Sequence, residues 1–219
     1  MNMLIYSHSD YEFVWGVCGA QMRKYFLREK IYGILNKNVE NSFFDVVSVY
    51  DEGLSYTERV LMGLEGLDDD LVVVFQHEDM FLYDEPDFGV LSVIEDLVER
   101  GVVDAVQLIR TTEGLASFGD SGFLFELPKN ARFSLQPTVI KVGMLKKIFG
   151  LAEKTNIWDF ERWCFRNCGW LNSVFLYDGG PKRGLAHYDT FSYPYVATAI
   201  VKGKWNYAEY EKELTELLS

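Results

Sequence analysis

Several stretches of the sequence bring together side chains able to hold a phosphate, a cation or a proton. In Gln76-His77-Glu78-Asp79 an apolar run stops at an imidazole and two adjacent carboxylates. Carboxylate oxygens suit a hard divalent cation, which in turn can neutralise a diphosphate. The alternative is a solvated turn after a strand. Tyr6-Ser7-His8-Ser9-Asp10 is a second polar run at the end of an apolar one. Between Pro181 and Asn206, Lys182, Arg183, Lys202 and Lys204 stand against a lone Asp189. With His187 among them and glycines at 179, 180 and 184, this stretch is expected to form a mobile flap. In it Lys202 and Lys204 would contact a diphosphate and His187 would add a metal ligand. Neutral imidazole suits manganese better than magnesium, so manganese is the expected ion. The other reading of His187 is a packed or surface histidine. Near the middle of the chain, Asn156 can cap a helix with Asp159 three residues on, where a carboxylate is favoured by the helix dipole.

In an open α/β sheet, ligands gather at the carboxyl ends of the strands, so these runs need strands to carry them. Asn2–Tyr6, Phe44–Tyr50, Leu71–Gln76, Ala105–Ile109 and Phe133–Ile140 are rich in β-prone residues. Helical spacing appears at 13–28, at 55–67 with Ser55 as cap and Glu58 three residues on, from Pro86 to Arg100, and at 142–149 and 157–167. Tyr195–Lys202 and Tyr207–Leu218 read as closing helices. Residues 111–133 read as irregular, and Asp178-Gly179-Gly180-Pro181 reads as a turn. With no repeat and no composition break, residues 1–219 are expected to form a single α/β domain.

Composition narrows the partners. The 219 residues carry 21 Lys and Arg against 33 Asp and Glu, a net charge of −12. That balance argues against nucleic acid and against an anionic membrane surface. Fifteen of the acids lie between Asp51 and Glu99, where Arg59 is the sole base. Hydrophobic residues at 48% and aromatics at 16% support a sizeable core. The start of the chain lacks a basic leader and no apolar run is long enough to span a bilayer, so a cytoplasmic protein is expected. Cys18, Cys164 and Cys168 are too few for a disulfide framework and lack the partners of a zinc site. Asp68-Asp69-Asp70 precedes its strand and reads as a solvated loop.

Five motifs in register across nearly the whole chain resemble a family of small GT-A-type nucleotide-sugar glycosyltransferases, similar to those encoded by large DNA viruses of algae and some bacteria. They are Ile5-Tyr6-Ser7-His8-Ser9-Asp10-Tyr11, Leu54-Ser55-Tyr56-Thr57-Glu58-Arg59, His77-Glu78-Asp79-Met80-Phe81-Leu82-Tyr83, Gln136-Pro137-Thr138 with Trp158-Asp159-Phe160-Glu161, and the tail from Tyr193 to Asn206. The resemblance implies a GT-A-like, Rossmann-like mixed sheet flanked by helices. It implies that Tyr6, Ser7 and His8 line a nucleotide pocket, with Thr57 and Arg59 near the base and ribose. The metal-binding Asp-x-Asp motif corresponds to His77-Glu78-Asp79, with histidine in place of the first acid. Asp79 is then the metal ligand, with Glu78 bracing it or facing the sugar. Asp159 and Glu161 correspond to the acceptor-side carboxylates, one of which would serve an inverting enzyme as general base.

The expected activity is metal-dependent transfer of a hexose or deoxyhexose from a nucleoside diphosphate donor, UDP foremost, to a glycan hydroxyl. Two other readings stand beside it. The altered acidic motif suggests a nucleotide-sugar-binding module with impaired catalysis. A nucleotidyltransferase would share the sheet but would call for a glycine-rich phosphate loop near the start of the chain, which is absent from the sequence.

Overall fold

The computed structural model describes residues 1–39, 43–114, 116–184 and 187–219. Its centre is an eight-stranded mixed sheet. The strands are β1 (Asn2–Tyr6), β2 (Ile31–Leu35), β3 (Val46–Val49), β4 (Val72–His77), β6 (Ala105–Gln107), β7 (Leu124–Glu126), β8 (Thr138–Lys141) and β9 (Ser173–Leu176), and β5 (Phe81–Leu82) lies outside the sheet. Their spatial order is β3-β2-β1-β4-β8-β6-β9-β7. β1 is parallel to both β2 and β4, whereas β8 runs antiparallel between β4 and β6.

Strand alternation divides the core in two. Met3 and Ile5 of β1 face a cluster that takes in Val14 and Met22 of α1 (Glu12–Tyr25), Leu91 and Ile94 of α3 (Phe88–Glu99), and Tyr210 and Leu214 of α6 (Tyr207–Leu218). Leu4 and Tyr6 face the opposite cluster, with Val60 and Leu64 of α2 (Tyr56–Leu64), Leu145 and Phe149 of α4 (Val142–Leu151), and Phe160 and Cys164 of α5 (Ile157–Asn167). A period of two in the strands thus puts helices on both faces.

Local signals fix several boundaries. The Ser55 hydroxyl accepts from the Glu58 amide at 3.4 Å while the Glu58 carboxylate accepts from the Ser55 amide at 3.1 Å, a reciprocal capping box that starts α2. Asn156 caps α5 by accepting from the Asp159 amide at 3.0 Å. The Asp68–Asp70 run is solvated, as expected, with Asp70 and Asp69 paired to Lys141 and Lys146. All three cysteines are buried free thiols.

Three expectations need correction. Residues 195–202 are not helical: β12 (Tyr195–Val196) pairs antiparallel with β5, and β13 (Ile200–Val201) forms a hairpin with β14 (Lys204–Trp205). Pairing across the fold overrides the local spacing, because Tyr195 lies opposite Leu82 and the Ala199 amide donates to the Asp79 carbonyl at 2.9 Å. Strands β2, β7 and β9 of the sheet are additions to the elements read from sequence, β7 lying within the stretch 111–133 expected to be irregular. The described ends of the stretch expected to form a flap are tied down: β10 (Lys182–Arg183) pairs with β11 (His187–Tyr188), and Arg183 bridges Asp189 and Glu213 at 2.7 Å each. Leu185 and Ala186 lie outside the described residues.

Candidate active site

The chain runs from β1 outward to β2 and β3, then returns to place β4 on the other side of β1. At that reversal the loops after β1 and β4 diverge and leave a crevice at the carboxyl end of the sheet. Tyr6 and His77, the last residues of the two strands, are register partners. The crevice is a cleft of about 930 Å³.

One wall is aromatic. The Tyr6 ring stacks on Tyr50 with centroids 5.4 Å apart and meets Tyr56 edge-on at 5.1 Å. The Arg59 guanidinium lies 5.3 Å from the centre of the Tyr50 ring and its Nε donates to the Leu54 carbonyl at 2.8 Å. Tyr6, Tyr56 and Arg59 all line the cleft. His8, also on the wall, caps the short 3-10 turn Ser9–Tyr11 by accepting from the Asp10 amide, and its Nε2 lies 3.0 Å from Glu52. His77 Nε2 is 3.0 Å from the Tyr56 hydroxyl, and burial pulls the imidazole down to about 4, so it is neutral at physiological pH.

The floor is acidic. Glu78 is only 5% exposed, and burial together with the neighbouring Asp79 charge pushes its carboxyl well above the usual carboxylate range. Burial raises Asp79 to about 6, opposed by hydrogen bonds from the Ile200 amide and from its own backbone. A buried and a half-buried carboxylate side by side in a cleft are a costly arrangement of the kind that functional sites retain. Ser7 lies beneath them, fully buried. Its hydroxyl accepts from the Trp15 indole at 2.8 Å and supports the Glu78 carboxylate.

The far wall comes from the α4–α5 connection and the start of α5, with Lys154, Thr155, Asn156, Trp158, Asp159 and Glu161. The two acids on α5 differ in kind. Asp159 is exposed and held below the usual range by Arg162 and by Asn156, whose side-chain amide donates to it at 2.7 Å. Burial raises the Glu161 carboxyl, against a hydrogen bond from the Leu135 backbone.

Not every residue singled out in the sequence reaches the cleft. Thr57 is buried beneath it, with its hydroxyl donating to the Glu153 carbonyl at 3.2 Å and accepting from the Thr155 amide at 3.4 Å. It therefore shapes the far wall from behind. Lys202 and Lys204 sit on the β13–β14 hairpin and are exposed outside the lining, although Thr198 and Ile200 of the same segment do line it. His187 is likewise outside, with Nε2 2.8 Å from the Tyr210 hydroxyl. Among the described residues no group of three or more His, Cys, Asp or Glu is arranged to hold a metal ion. Lys154 and Thr155 line the cleft and were passed over by sequence reasoning; the neighbouring Asn156 cap was a signal pointing to them.

No protein-family model and no curated protein sequence matches the chain. Solved structures do. A cytidylyltransferase from Leptospira borgpetersenii serovar Hardjo-bovis (strain JB197) matches with a TM-score of 0.51 at 11% identity, over 98% of this chain and 93% of that one. S. aureus TarS 1–349 matches with a TM-score of 0.51 at 12% identity, over 91% of this chain and 61% of that one. The fold is GT-A-like. A galactosyltransferase, LgtC, in complex with donor and acceptor sugar analogs gives a TM-score of 0.47 at 10% identity, over 80% of this chain and 73% of that one. Identities this low speak to fold alone. In this GT-A-like frame the cleft occupies the strand ends at the reversal of strand order, and no helix among the described residues is long and apolar enough to cross a membrane.

Proposed function

We propose that the protein is a glycosyltransferase that moves a sugar, a hexose or deoxyhexose, from a nucleoside diphosphate donor, UDP-linked in the first instance, to a glycan hydroxyl. The observation that carries this reading is the adjacent carboxylate pair of buried Glu78 and half-buried Asp79, facing an aromatic and arginine wall across a cleft at the switch point of the sheet. A cleft of about 930 Å³ has room for a nucleotide with its sugar.

Two neighbouring carboxylates, with no third His, Cys, Asp or Glu grouped with them among the described residues, fit a hard cation that keeps some of its waters and takes phosphate oxygens as further ligands. Asp79 and Glu78 are the residues that would hold it, and such a cation would neutralise charge developing on the departing diphosphate. The preference for manganese rested on His187; with that imidazole bonded to Tyr210 outside the cleft, the carboxylates alone suit manganese and magnesium alike. Arg59, Tyr6 and Tyr56 would orient the nucleotide. Of the two acids on α5, Glu161 is the better proton acceptor for an acceptor hydroxyl. Its half-buried carboxylate binds a proton more readily than Asp159, which is committed to Asn156 and Arg162.

The test is incubation of the purified protein with UDP-, GDP- and dTDP-sugars, with and without manganese or magnesium, followed by assay of free sugar and nucleotide. Metal-dependent release of sugar and UDP supports the reading. Nucleotide binding without release points to a binding module. Nucleotidyl transfer, raised by the fold shared with the cytidylyltransferase, would instead release pyrophosphate from a nucleoside triphosphate and a sugar phosphate.

A further inference from the structure

The acidic chain has a basic district beside its cleft. Between Lys129 and Trp170 eight lysines and arginines stand against Glu153, Asp159 and Glu161 only. Part of that district encloses a second hollow of about 310 Å³, where Lys154, Arg162, Trp163 and Arg166 line the wall together with two acids, Glu153 and Asp159. Lys154, Thr155 and Asp159 also line the main cleft, so the two spaces share a wall. Asp159, Arg162, Trp163 and Arg166 recur at helical spacing along one face of α5.

The chemistry of that face is specific. Arg162 is paired with Asp159 and Lys154 with Glu58, whereas Arg166 is exposed and has no acidic partner among the described residues. Half-buried Trp163 is held by stacking on Phe160, with centroids 6.3 Å apart and planes within 10°. Trp158, at the rim of the main cleft, is 69% exposed. Sugar rings present C–H faces that pack on indole, and a guanidinium matches the paired oxygens of a carboxylate or phosphate. A neutral glycan would offer Arg166 only hydroxyl and ring oxygens, without the charge that makes a carboxylate or phosphate the stronger partner.

We infer that this hollow is an acceptor subsite for a sugar bearing an anionic group, a carboxylate or a phosphate, next to the residue that receives the transferred sugar. The assignment of the bound sugar as acceptor rests on the glycosyltransferase reading; the binding of an anionic sugar does not.

Intrinsic tryptophan fluorescence of the full chain can be titrated with tetragalacturonic acid for the carboxylate, glucose 6-phosphate for the phosphate and maltotetraose as neutral control, with UDP affinity measured alongside. At least one anionic probe should bind roughly tenfold more tightly than maltotetraose, and Arg166→Gln should remove roughly that factor while leaving UDP affinity unchanged. Equal binding of neutral and anionic probes, or an Arg166→Gln protein that binds the anionic probe as the parent does, overturns the subsite. Absence of UDP binding in a protein that still selects the anionic probe through Arg166 supports the subsite and overturns the donor reading instead.

Discussion

Replacing Asp79 by asparagine should make the protein more stable at neutral pH and, under the proposed function, should remove the metal-dependent turnover proposed for it. Burial moves the Asp79 carboxyl from 3.8 to about 6, so keeping it ionised above that range costs the folded state about 3 kcal/mol. Asparagine has nearly the same shape, keeps an oxygen to accept from the Ile200 amide, and takes away the charge that raises Glu78. The sign follows from proton binding. The folded chain holds the Asp79 proton more tightly than the unfolded chain, so this group favours folding below pH 3.8 and that contribution is lost as the pH rises toward 6. His77 acts oppositely over nearly the same window. Displaced from 6.5 to about 4, it takes stability away as the pH falls. The quantity to follow is therefore the difference between Asp79→Asn and the parent in urea unfolding between about pH 4 and pH 8. The variant should gain about 3 kcal/mol at neutral pH, with the gain fading toward pH 4. A variant that is equally or less stable at neutral pH would refute the claim that this carboxylate is held in the cleft at a cost.

Two further outcomes follow from packing and placement. A Cβ on Gly63 would lie 2.4 Å from Ile34 Cγ2, where α2 rests on β2, so Gly63→Ala should destabilise by about 1–3 kcal/mol despite its helix propensity, as read by urea unfolding. Lys202→Ala with Lys204→Ala should leave donor affinity within about twofold, because both side chains lie outside the cleft lining; a loss of tenfold or more in a nucleotide titration would show that the hairpin closes over the ligand.

What could be read from sequence was whatever depends on near neighbours. The Ser55–Glu58 box, the Asn156 cap and the boundaries of β1 and α5 follow from contacts within a few residues. The acidic end of β4 was legible because a hydrophobic run ended abruptly in charge. β2 escaped because it is five residues with Gly33 in the middle, a glycine whose lack of Cβ admits the Phe44 ring. The segment 195–202 was misread because its conformation is set by β5 and Asp79, more than a hundred residues earlier. Charge along the chain misled in the same way. Lys202, Lys204 and His187 are close in sequence to one another but do not converge on the cleft, whereas Lys154 reaches it from a stretch with no evident motif.

The attachment of Asp79 to Ala199 and Ile200 has a consequence for how the protein comes into being. The acidic end of β4 is synthesised more than a hundred residues before the segment that holds its backbone and side chain. A growing chain on the ribosome therefore carries the two carboxylates without the strand that seats them, and the cleft can be completed only after Ile200 has emerged. Whatever ligand the cleft takes should be unable to engage a nascent chain halted short of that point, so binding would report that Ile200 has emerged and folded into place.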